Sequence, residues 1–316
     1  MKRLWGTVLL FVIVGAPAQA TPPETPDKGD TLWGQLRATV TDVEQHLDGV
    51  LGLAILDLTS GRQLLLRGDS VFPQASSIKI AVLAELYHQD EESAHGAGGK
   101  ARLSDIYTVQ TSDIVADSDI MGGLSPGVTV LTNRDLATMM VAVSDNAATN
   151  VLIDRVGMEN VRALLTSQGL SHTLLQRKMM DLKAAAEGRE NVSTPREMLT
   201  FLERLYRGKV LSKPQLDDFF TMLSTHKDSW IPSSLPADLK IANKPGSLEG
   251  VRADSGIVFL KNRPYIICVM TTYLANERAG EDAIRRISGA AYSMFDRLSR
   301  ASEYGRVISP SNGSLR

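Results

Sequence analysis

A serine and a lysine three residues apart, Ser76 and Lys79, open a run of apolar residues with helical spacing. At the start of a helix these two side chains share a face, so the amine can reach the hydroxyl. A serine hydroxyl is a weak nucleophile until a neighbouring base or positive group activates it. The first turn of a helix adds free N–H groups and partial positive charge, which stabilise developing negative charge. The pair therefore predicts nucleophilic catalysis, although a serine that only caps a helix would fit the same pattern.

The same Ser-x-x-Lys spacing occurs again at Ser224 and Lys227. This second copy runs into a polar stretch that contains a proline, whereas the first runs into the apolar residues 80–86. We interpret the second copy as coincidental.

Two other short motifs carry polar groups suited to amide chemistry. In the first, Ser144 offers a hydroxyl for proton relay, and Asn146 offers an amide to a substrate carbonyl. In the second, Lys244 follows a strand-like run, Gly246 permits close approach of a substrate backbone, and Ser247 offers an N–H to an oxyanion. Taken singly, these motifs are also typical of a polar helix end and a simple turn.

In this order the three motifs resemble the S-x-x-K, S-D-N and K-T-G signature of class A β-lactamases and penicillin-binding proteins. The resemblance extends to Phe72-Pro73 before the serine, to the heptapeptide SDNAATN at residues 144–150, and to Thr194-Pro195 before a helix. It covers roughly residues 31–300, nearly the whole chain after its first segment.

The resemblance implies a nucleophile and its proton carriers. Ser76 would attack the amide carbonyl and form an acyl-enzyme, with Lys79 taking part in proton removal. Ser144 would pass a proton to the leaving nitrogen, helped by Lys244.

The resemblance also implies groups that hold the substrate. The backbone N–H groups of Ser76 and Ser247 would form an oxyanion hole beside Gly246, and Asn146 would orient the substrate side chain. Arg252 is a candidate for binding the substrate carboxylate.

Two departures from the family pattern bear on function. Pro245 stands where the family usually has a hydroxyl residue that binds the substrate carboxylate. In class A β-lactamases a glutamate two residues after an arginine activates the hydrolytic water, but after Arg177 that place holds Met179, whose thioether cannot act as a base. Asp181 is a possible deacylation acid, and Glu187 is another nearby carboxylate. Each is also typical of a residue that only stabilises a loop or faces solvent.

Strand-like patterns at both ends of the chain and helical patterns in the middle predict an α/β (α+β) fold. We expect an antiparallel five-stranded sheet flanked by helices, with an all-helical domain inserted. The expected parts are a signal peptide (1–20), a disordered lead-in (21–30), a discontinuous sheet domain (31–75 and 205–305), a helical domain (76–204) with a loop at 172–194, and a tail (306–316). A continuous helix is expected over about 133–156. Strands are expected at 240–243, 256–260 and 264–272.

Composition narrows the class of protein. The formal net charge of −2 and the scattered basic residues argue against a nucleic-acid partner. Lys2 and Arg3, an apolar run and Ala18-Gln19-Ala20 are typical of a secretory signal, so we expect an exported periplasmic or secreted protein without a membrane anchor after cleavage. No His cluster with metal-ligand spacing occurs, so we expect neither metal nor cofactor. A monomer acting on a β-lactam or a peptidoglycan-stem-like molecule is expected.

The sequence leaves three functions open. The first is a serine hydrolase of the class A β-lactamase type, with slow deacylation. The second is a D-alanyl-D-alanine peptidase or wall-amide hydrolase on the same fold, and the third is a β-lactam-binding sensor that stays acylated. We predict the first.

Overall fold

The computed structural model describes Met1 and residues 28–302 and 304–308. The expected signal peptide after Met1, most of the lead-in and most of the tail lie outside these residues. The helices are α1 (Lys28–His46), α2 (Lys79–Ala94), α3 (Asn133–Ala142), α4 (Asn146–Val156), α5 (Met158–Ser167), α6 (Leu182–Ala186), α7 (Pro195–Tyr206), α8 (Lys213–Leu223) and α9 (Glu277–Arg300). The strands are β1 (Val50–Asp57), β2 (Gln63–Leu66), β3 (Phe72–Pro73), β4 (Ile106–Thr108), β5 (Val130–Thr132), β6 (Val192–Ser193), β7 (Ile241–Leu248), β8 (Val251–Val258) and β9 (Tyr265–Thr272).

Five strands form one antiparallel sheet in the order β2-β1-β9-β8-β7. Strands from both ends of the chain meet where β1 pairs with β9, which requires the segment between β2 and β7 to leave the sheet and return. The expected fold class, an antiparallel five-stranded sheet with helices, is confirmed. β7 is an edge strand, so one side of its backbone is free of a neighbouring strand.

Each face of the sheet carries its own hydrophobic core. One core packs α1 and α9 on the sheet through residues such as Trp33, Leu36, Ile287 and Phe295. The other packs the sheet against α2 and the helices that follow it. α2 lies at the centre of this second core, and its residues 80–87 are all buried. The helix that begins at Lys79 is therefore rigidly held.

Some expected boundaries were wrong. The strand expected at 240–243 continues through Pro245 and Gly246 to Leu248, so the third motif lies within a strand rather than a turn. Its partner begins at Val251, earlier than the expected 256, and only Glu249 and Gly250 form the turn. Proline is tolerated because β7 is an edge strand.

Two helical expectations also need correction. The helix expected over 133–156 is interrupted at residues 143–145, where Ser144 adopts a φ of +59° and Asp145 caps α4. Residues 28–30, expected in the lead-in, form the first turn of α1. Across the described ranges, no helix is long and apolar enough to cross a bilayer.

Candidate active site

The first motif forms a tight turn that leads into α2. Ala75–Ile78 is a short 3-10 helix, and the backbone N–H of Lys79 donates to the carbonyls of Ser76 and Ser77. Ala75 has a φ of +46°, a strained conformation for a residue with a Cβ atom. The half-buried Ser76 thus sits on a constrained turn at the head of a buried helix, with Lys79 one turn later.

A glycine lets β7 approach this turn. A Cβ atom on Gly246 would lie 2.4 Å from the carbonyl oxygen of Gln74 and 2.9 Å from the backbone nitrogens of Ser76 and Ser77. The buried Ser77 hydroxyl also donates to the carbonyl of Lys244 at 2.9 Å. The first and third motifs are therefore joined through backbone contact.

Substituting Gly246→Ala should push β7 away from the turn and lower the free energy of unfolding by about 1–3 kcal/mol, typical of overpacking. Denaturant unfolding measures this. Gly34→Ala in α1 is the matched control, because a Cβ atom there meets nothing within 4 Å and alanine favours helix. A Gly246→Ala variant as stable as the parent would contradict the close contact.

The second motif supplies the hydroxyl that both lysines contact. The Lys79 amine lies 3.0 Å from Ser144 Oγ and donates to the Ser144 carbonyl at 2.6 Å. The Lys244 amine lies 3.0 Å from the same Ser144 Oγ. Asn146 Oδ1 accepts from Lys79 at 3.0 Å. The structure thus brings Lys79, Ser144, Asn146 and Lys244 into one cluster beside the Ser76 turn.

Asp145 holds the second motif in place. Its buried carboxylate accepts from Ala148 N at 3.0 Å, which caps α4, and from the backbone N–H groups of Ile120 and Met121 at 3.1 and 2.9 Å. These bonds tie α4 to the segment before β5 and position Ser144 despite its positive φ. The role of Asp145 was missed from sequence, where an aspartate before a helix would signal only a cap.

Both lysines are buried, and burial lowers both pKa values. Burial, and then the positive charge of Lys227, lower the pKa of Lys244 to about 7, and the negative charge of Asp254 opposes this shift. The pKa of Lys79 lies well below the ordinary lysine value because of burial and then the charge of Lys244, against the pull of Asp145 and Asp117.

Two protonated amines in this cluster would repel each other. Since each nitrogen is 3.0 Å from the same oxygen, the two are no more than about 6 Å apart. Two full charges at roughly 6 Å repel by about 3 kcal/mol at an effective dielectric constant of 20. Burial and this repulsion therefore both favour the neutral form of Lys79, and a neutral amine can accept a proton.

The edge of β7 presents backbone groups to the same cluster. Leu248 and Val251 flank a two-residue turn as a hydrogen-bonded pair, so the next pair, Ser247 and Arg252, is not hydrogen-bonded. The Ser247 N–H therefore points away from β8, along the free edge of the sheet. Pro245 occupies the next outward position along β7, so its missing N–H costs no bond within the sheet.

The Arg252 guanidinium is already bound by carboxylates and backbone carbonyls of this chain. Its guanidinium contacts Glu277 at 3.1 Å and Glu281 at 3.2 Å, both on α9. Its remaining nitrogen donates to the carbonyls of Leu248 and Val251. The candidate carboxylate-binding arginine is thus surrounded by acceptors of its own chain.

Met179, which the resemblance to the family matches with its glutamate, is held against α4 by Asn150. Asn150, one turn after Asn146 on α4, accepts from Met179 N at 2.8 Å and donates to its carbonyl at 3.0 Å. Asn146 and Asn150 share a helix face, so Met179 is held on the face of α4 that meets Lys79. The buried thioether brings no base to this place. The sequence motif that contains Asn150 indicates no role for it, and only the fold reveals its contact with Met179.

The 172–194 loop is closed by other contacts. Arg177, 7% exposed, pairs with Glu190 at 2.8 Å, and Asn191 bonds to the backbone of Gln176 and Arg177. These contacts hold Arg177, two residues before Met179, in place.

The two candidate carboxylates of this loop have other contacts. Asp181 is exposed, and its carboxylate accepts from Ala184 N at 2.9 Å as the cap of α6. Glu187 is exposed and pairs with Arg189. Neither carboxylate contacts the lysine cluster among the described residues. In the part of the chain that the structure describes, no group of three or more His, Cys, Asp or Glu side chains could hold a metal ion.

Comparison with known proteins agrees with this geometry. The β-lactamase enzyme family model matches residues 35–295. The chain is 29% identical over 272 residues to an imipenem-hydrolysing β-lactamase of Enterobacter cloacae, covering 82% of this chain and 88% of the relative. An ancestral class A β-lactamase superposes with a TM-score of 0.74 at 27% identity, covering 82% of this chain and all of the other.

Another similar structure is a mutant of PBP-A in an acyl-enzyme complex with penicillin G. It has a TM-score of 0.75 and 27% identity, covering 88% of this chain and all of that one. The family model spans most of the chain, and the matched region contains all three motifs. The chain belongs to the β-lactamase enzyme family, of the class A type.

Proposed function

We propose that this protein is a serine hydrolase that opens the amide bond of β-lactams through an acyl-enzyme on Ser76 and hydrolyses that ester slowly. One observation carries the proposal: the Ser144 hydroxyl lies 3.0 Å from both the Lys79 and the Lys244 amine, beside the Ser76 turn. Relatives named as β-lactamases support the substrate class.

Acylation uses the neutral Lys79 amine as the base. Lys79 takes the proton of the Ser76 hydroxyl while Ser76 Oγ bonds to the carbonyl carbon. The ring C–N bond then breaks, and the leaving nitrogen takes a proton from Ser144. The Lys79 ammonium, 3.0 Å from Ser144 Oγ, returns a proton to that hydroxyl. Lys244 stabilises the developing charge on Ser144.

Backbone donors stabilise the tetrahedral intermediate. The Ser76 nitrogen lies next to Gly246, and the Ser247 N–H faces the open edge of β7. Together they form the proposed oxyanion hole, and one such donor typically contributes about 3 kcal/mol. Asn146, held by Lys79 and the Ala116 carbonyl, orients the acyl side chain.

Slow deacylation follows from Met179. Hydrolysis of the ester requires a water molecule to lose a proton, and general base catalysis contributes typically about 10²–10⁴-fold. Met179 provides no base where the family places one, and Asp181 is a helix cap without contact to the cluster. The ester should therefore accumulate before it is hydrolysed.

The wall peptidase and the sensor considered from the sequence are not favoured, because curated relatives that match most of the chain are named as β-lactamases. We further propose that the protein acts as an exported monomer without a cofactor. The basic start, apolar run and Ala-Gln-Ala site of residues 1–20 support export.

Time-resolved mass spectrometry tests the proposal. Mixed with penicillin G, the intact protein should gain the mass of one penicillin, and the adduct should map to the peptide that carries Ser76. A parallel hydrolysis assay should show turnover limited by loss of this adduct. Hydrolysis without an adduct on this peptide, or neither adduct nor hydrolysis, would contradict the proposal.

The pKa values predict a bell-shaped pH dependence of acylation. Acidification should slow adduct formation, because Lys79, whose pKa is lowered by burial and by the charge of Lys244, gains the proton that stops it acting as a base. Alkalinisation above about 7 should also slow it, because Lys244 loses the charge that supports Ser144. The second-order rate constant measured from about pH 5 to 9 checks this. A rate still rising at about pH 9 would indicate an ordinary lysine pKa of about 10.4 instead.

A further inference from the structure

A cavity of about 600 Å³ lies where the start of α1 meets the end of α9. The turn between β1 and β2 contributes Ser60 to its wall, and the turn between β8 and β9 contributes Arg263. None of the described residues that line it belongs to the three catalytic motifs. Small-molecule sites have volumes of roughly 300–1,000 Å³. The cavity is therefore large enough for a ligand and is separate from the catalytic cluster.

The charged side chains that the structure describes in the wall of this cavity are all positive. They are Lys28, Arg62, Arg263 and Arg297. Two of the four charges are compensated by carboxylates outside the wall, since Arg62 pairs with Asp30 and Arg263 pairs with the buried Asp57 at 2.7 Å. The remaining two charges decide which ligand the cavity attracts.

These remaining cations, Lys28 and Arg297, have no ion-pair partner among the described residues. The Lys28 amine donates to the carbonyl of Tyr304 at 3.0 Å. Arg297 Nε donates to the carbonyl of Ser293, one turn earlier in α9, also at 3.0 Å. The two terminal nitrogens of Arg297 have no acceptor within the described structure, and such a fork can bind both oxygens of a carboxylate. The cavity thus favours an anion.

Aliphatic side chains supply the apolar part of the wall. Leu32 and Leu298 are partly buried and pack on the core beneath α1 and α9, and Val307 is half-exposed. Trp33 also lines the cavity, but it is buried, and the Arg62 guanidinium lies 4.9 Å from its ring centroid. Since this leaves little ring surface for stacking, the apolar surface suits an alkyl chain better than an aromatic ring.

We propose that this cavity binds an aliphatic carboxylic acid, with its carboxylate on Arg297 and Lys28 and its alkyl chain on Leu32, Leu298 and Val307. The uncompensated positive charge selects an anion, and each methylene group removed from water adds to the affinity. An anion with an alkyl chain uses both parts of the wall. The proposal is independent of the hydrolase function, because none of these residues lies in the catalytic cluster.

Calorimetric titration of the whole protein with laurate, a saturated unbranched acid, tests the site. One laurate should bind per chain at concentrations below those at which it forms micelles. Dodecyltrimethylammonium has the same alkyl chain with a cationic headgroup, and acetate has the carboxylate without the chain. Each should bind at least about 10-fold more weakly than laurate, because each lacks one of the two interactions. Equal affinity for laurate and either of the other two compounds, or no binding of laurate, would overturn the proposal.

Arg297→Met tests the assigned headgroup contact. It removes the unpaired guanidinium, and the only bond lost within the described structure is the one to a carbonyl of the same helix, so folding should be retained. The dissociation constant for laurate should rise by about 10- to 100-fold, as expected when charge-assisted hydrogen bonds are lost. Lys28→Met should act in the same direction, and it provides a second variant should Arg297→Met be unstable.

Arg278→Met is the matched control. It removes the same charge from the first turn of α9, outside the cavity, and should leave laurate binding unchanged. Equal losses in Arg297→Met and Arg278→Met, or unchanged binding in both Arg297→Met and Lys28→Met, would overturn the proposal. Laurate binding only after removal of the residues before Lys28 would also overturn it, because that segment, which carries Glu24 and Asp27, would then be the occupant.

Discussion

Replacing Lys79 with methionine is expected to slow acylation of Ser76 by about 10²–10⁴-fold, the usual contribution of a general base. Methionine keeps the length and burial of the side chain but removes the nitrogen that accepts the proton. The variant should remain folded, since an apolar group replaces an amine that is almost completely buried. Stopped-flow measurement of adduct formation with penicillin G gives the rate.

Lys79→Arg distinguishes a base from a charge. Arginine stays protonated at all accessible pH values and cannot accept the proton of Ser76. If Lys79 acts as the base, Lys79→Arg should be as slow as Lys79→Met. If Lys79 contributes only positive charge, Lys79→Arg should recover much of the parent rate, and the proposed acylation step would be wrong. Unfolding curves of both variants should accompany the kinetics.

Met179→Glu is expected to shorten the lifetime of the acyl-enzyme by about 10²–10⁴-fold, because it places a general base where none exists. Asn150 holds the backbone of residue 179 through both its N–H and its carbonyl, so the new carboxylate should occupy the site of the thioether. The decay of the adduct, followed by mass spectrometry after removal of free penicillin, measures this.

Neighbouring residues provide the controls for Met179→Glu. Met180→Glu adds the same charge one residue later and should leave the decay rate unchanged. Asp181→Asn should also leave it unchanged, since Asp181 caps α6 instead of facing the cluster. A slower decay in Asp181→Asn would restore Asp181 as a deacylation acid. Equal decay in Met179→Glu and the parent would contradict the placement of Met179 beside the ester.

The sequence was sufficient to predict the sheet and the three motifs, because the relevant signals are local. Apolar periodicity locates α2 and β9, and the type and spacing of Ser76, Lys79, Ser144 and Lys244 indicate their chemistry. The order of strands follows once the terminal segments are known to pair.

Local sequence patterns could not predict the contacts between residues that are distant in the chain. Nothing near Arg252 in sequence reveals that Glu277 and Glu281 lie beside it, because α9 reaches it only through the fold. The interruption between α3 and α4 depends on bonds from Asp145 to residues 120 and 121, distant in the chain.

Catalysis in this account depends on one buried amine being without its proton at physiological pH. Heteronuclear NMR of protein carrying ¹⁵N-labelled lysine side chains, with the Lys79 signal assigned by its absence in Lys79→Met, reads that protonation state directly. We expect the Lys79 nitrogen to show the chemical shift of a neutral amine at about pH 7. A shift that stays at the ammonium value until about pH 10, the range of an ordinary lysine, would contradict the account.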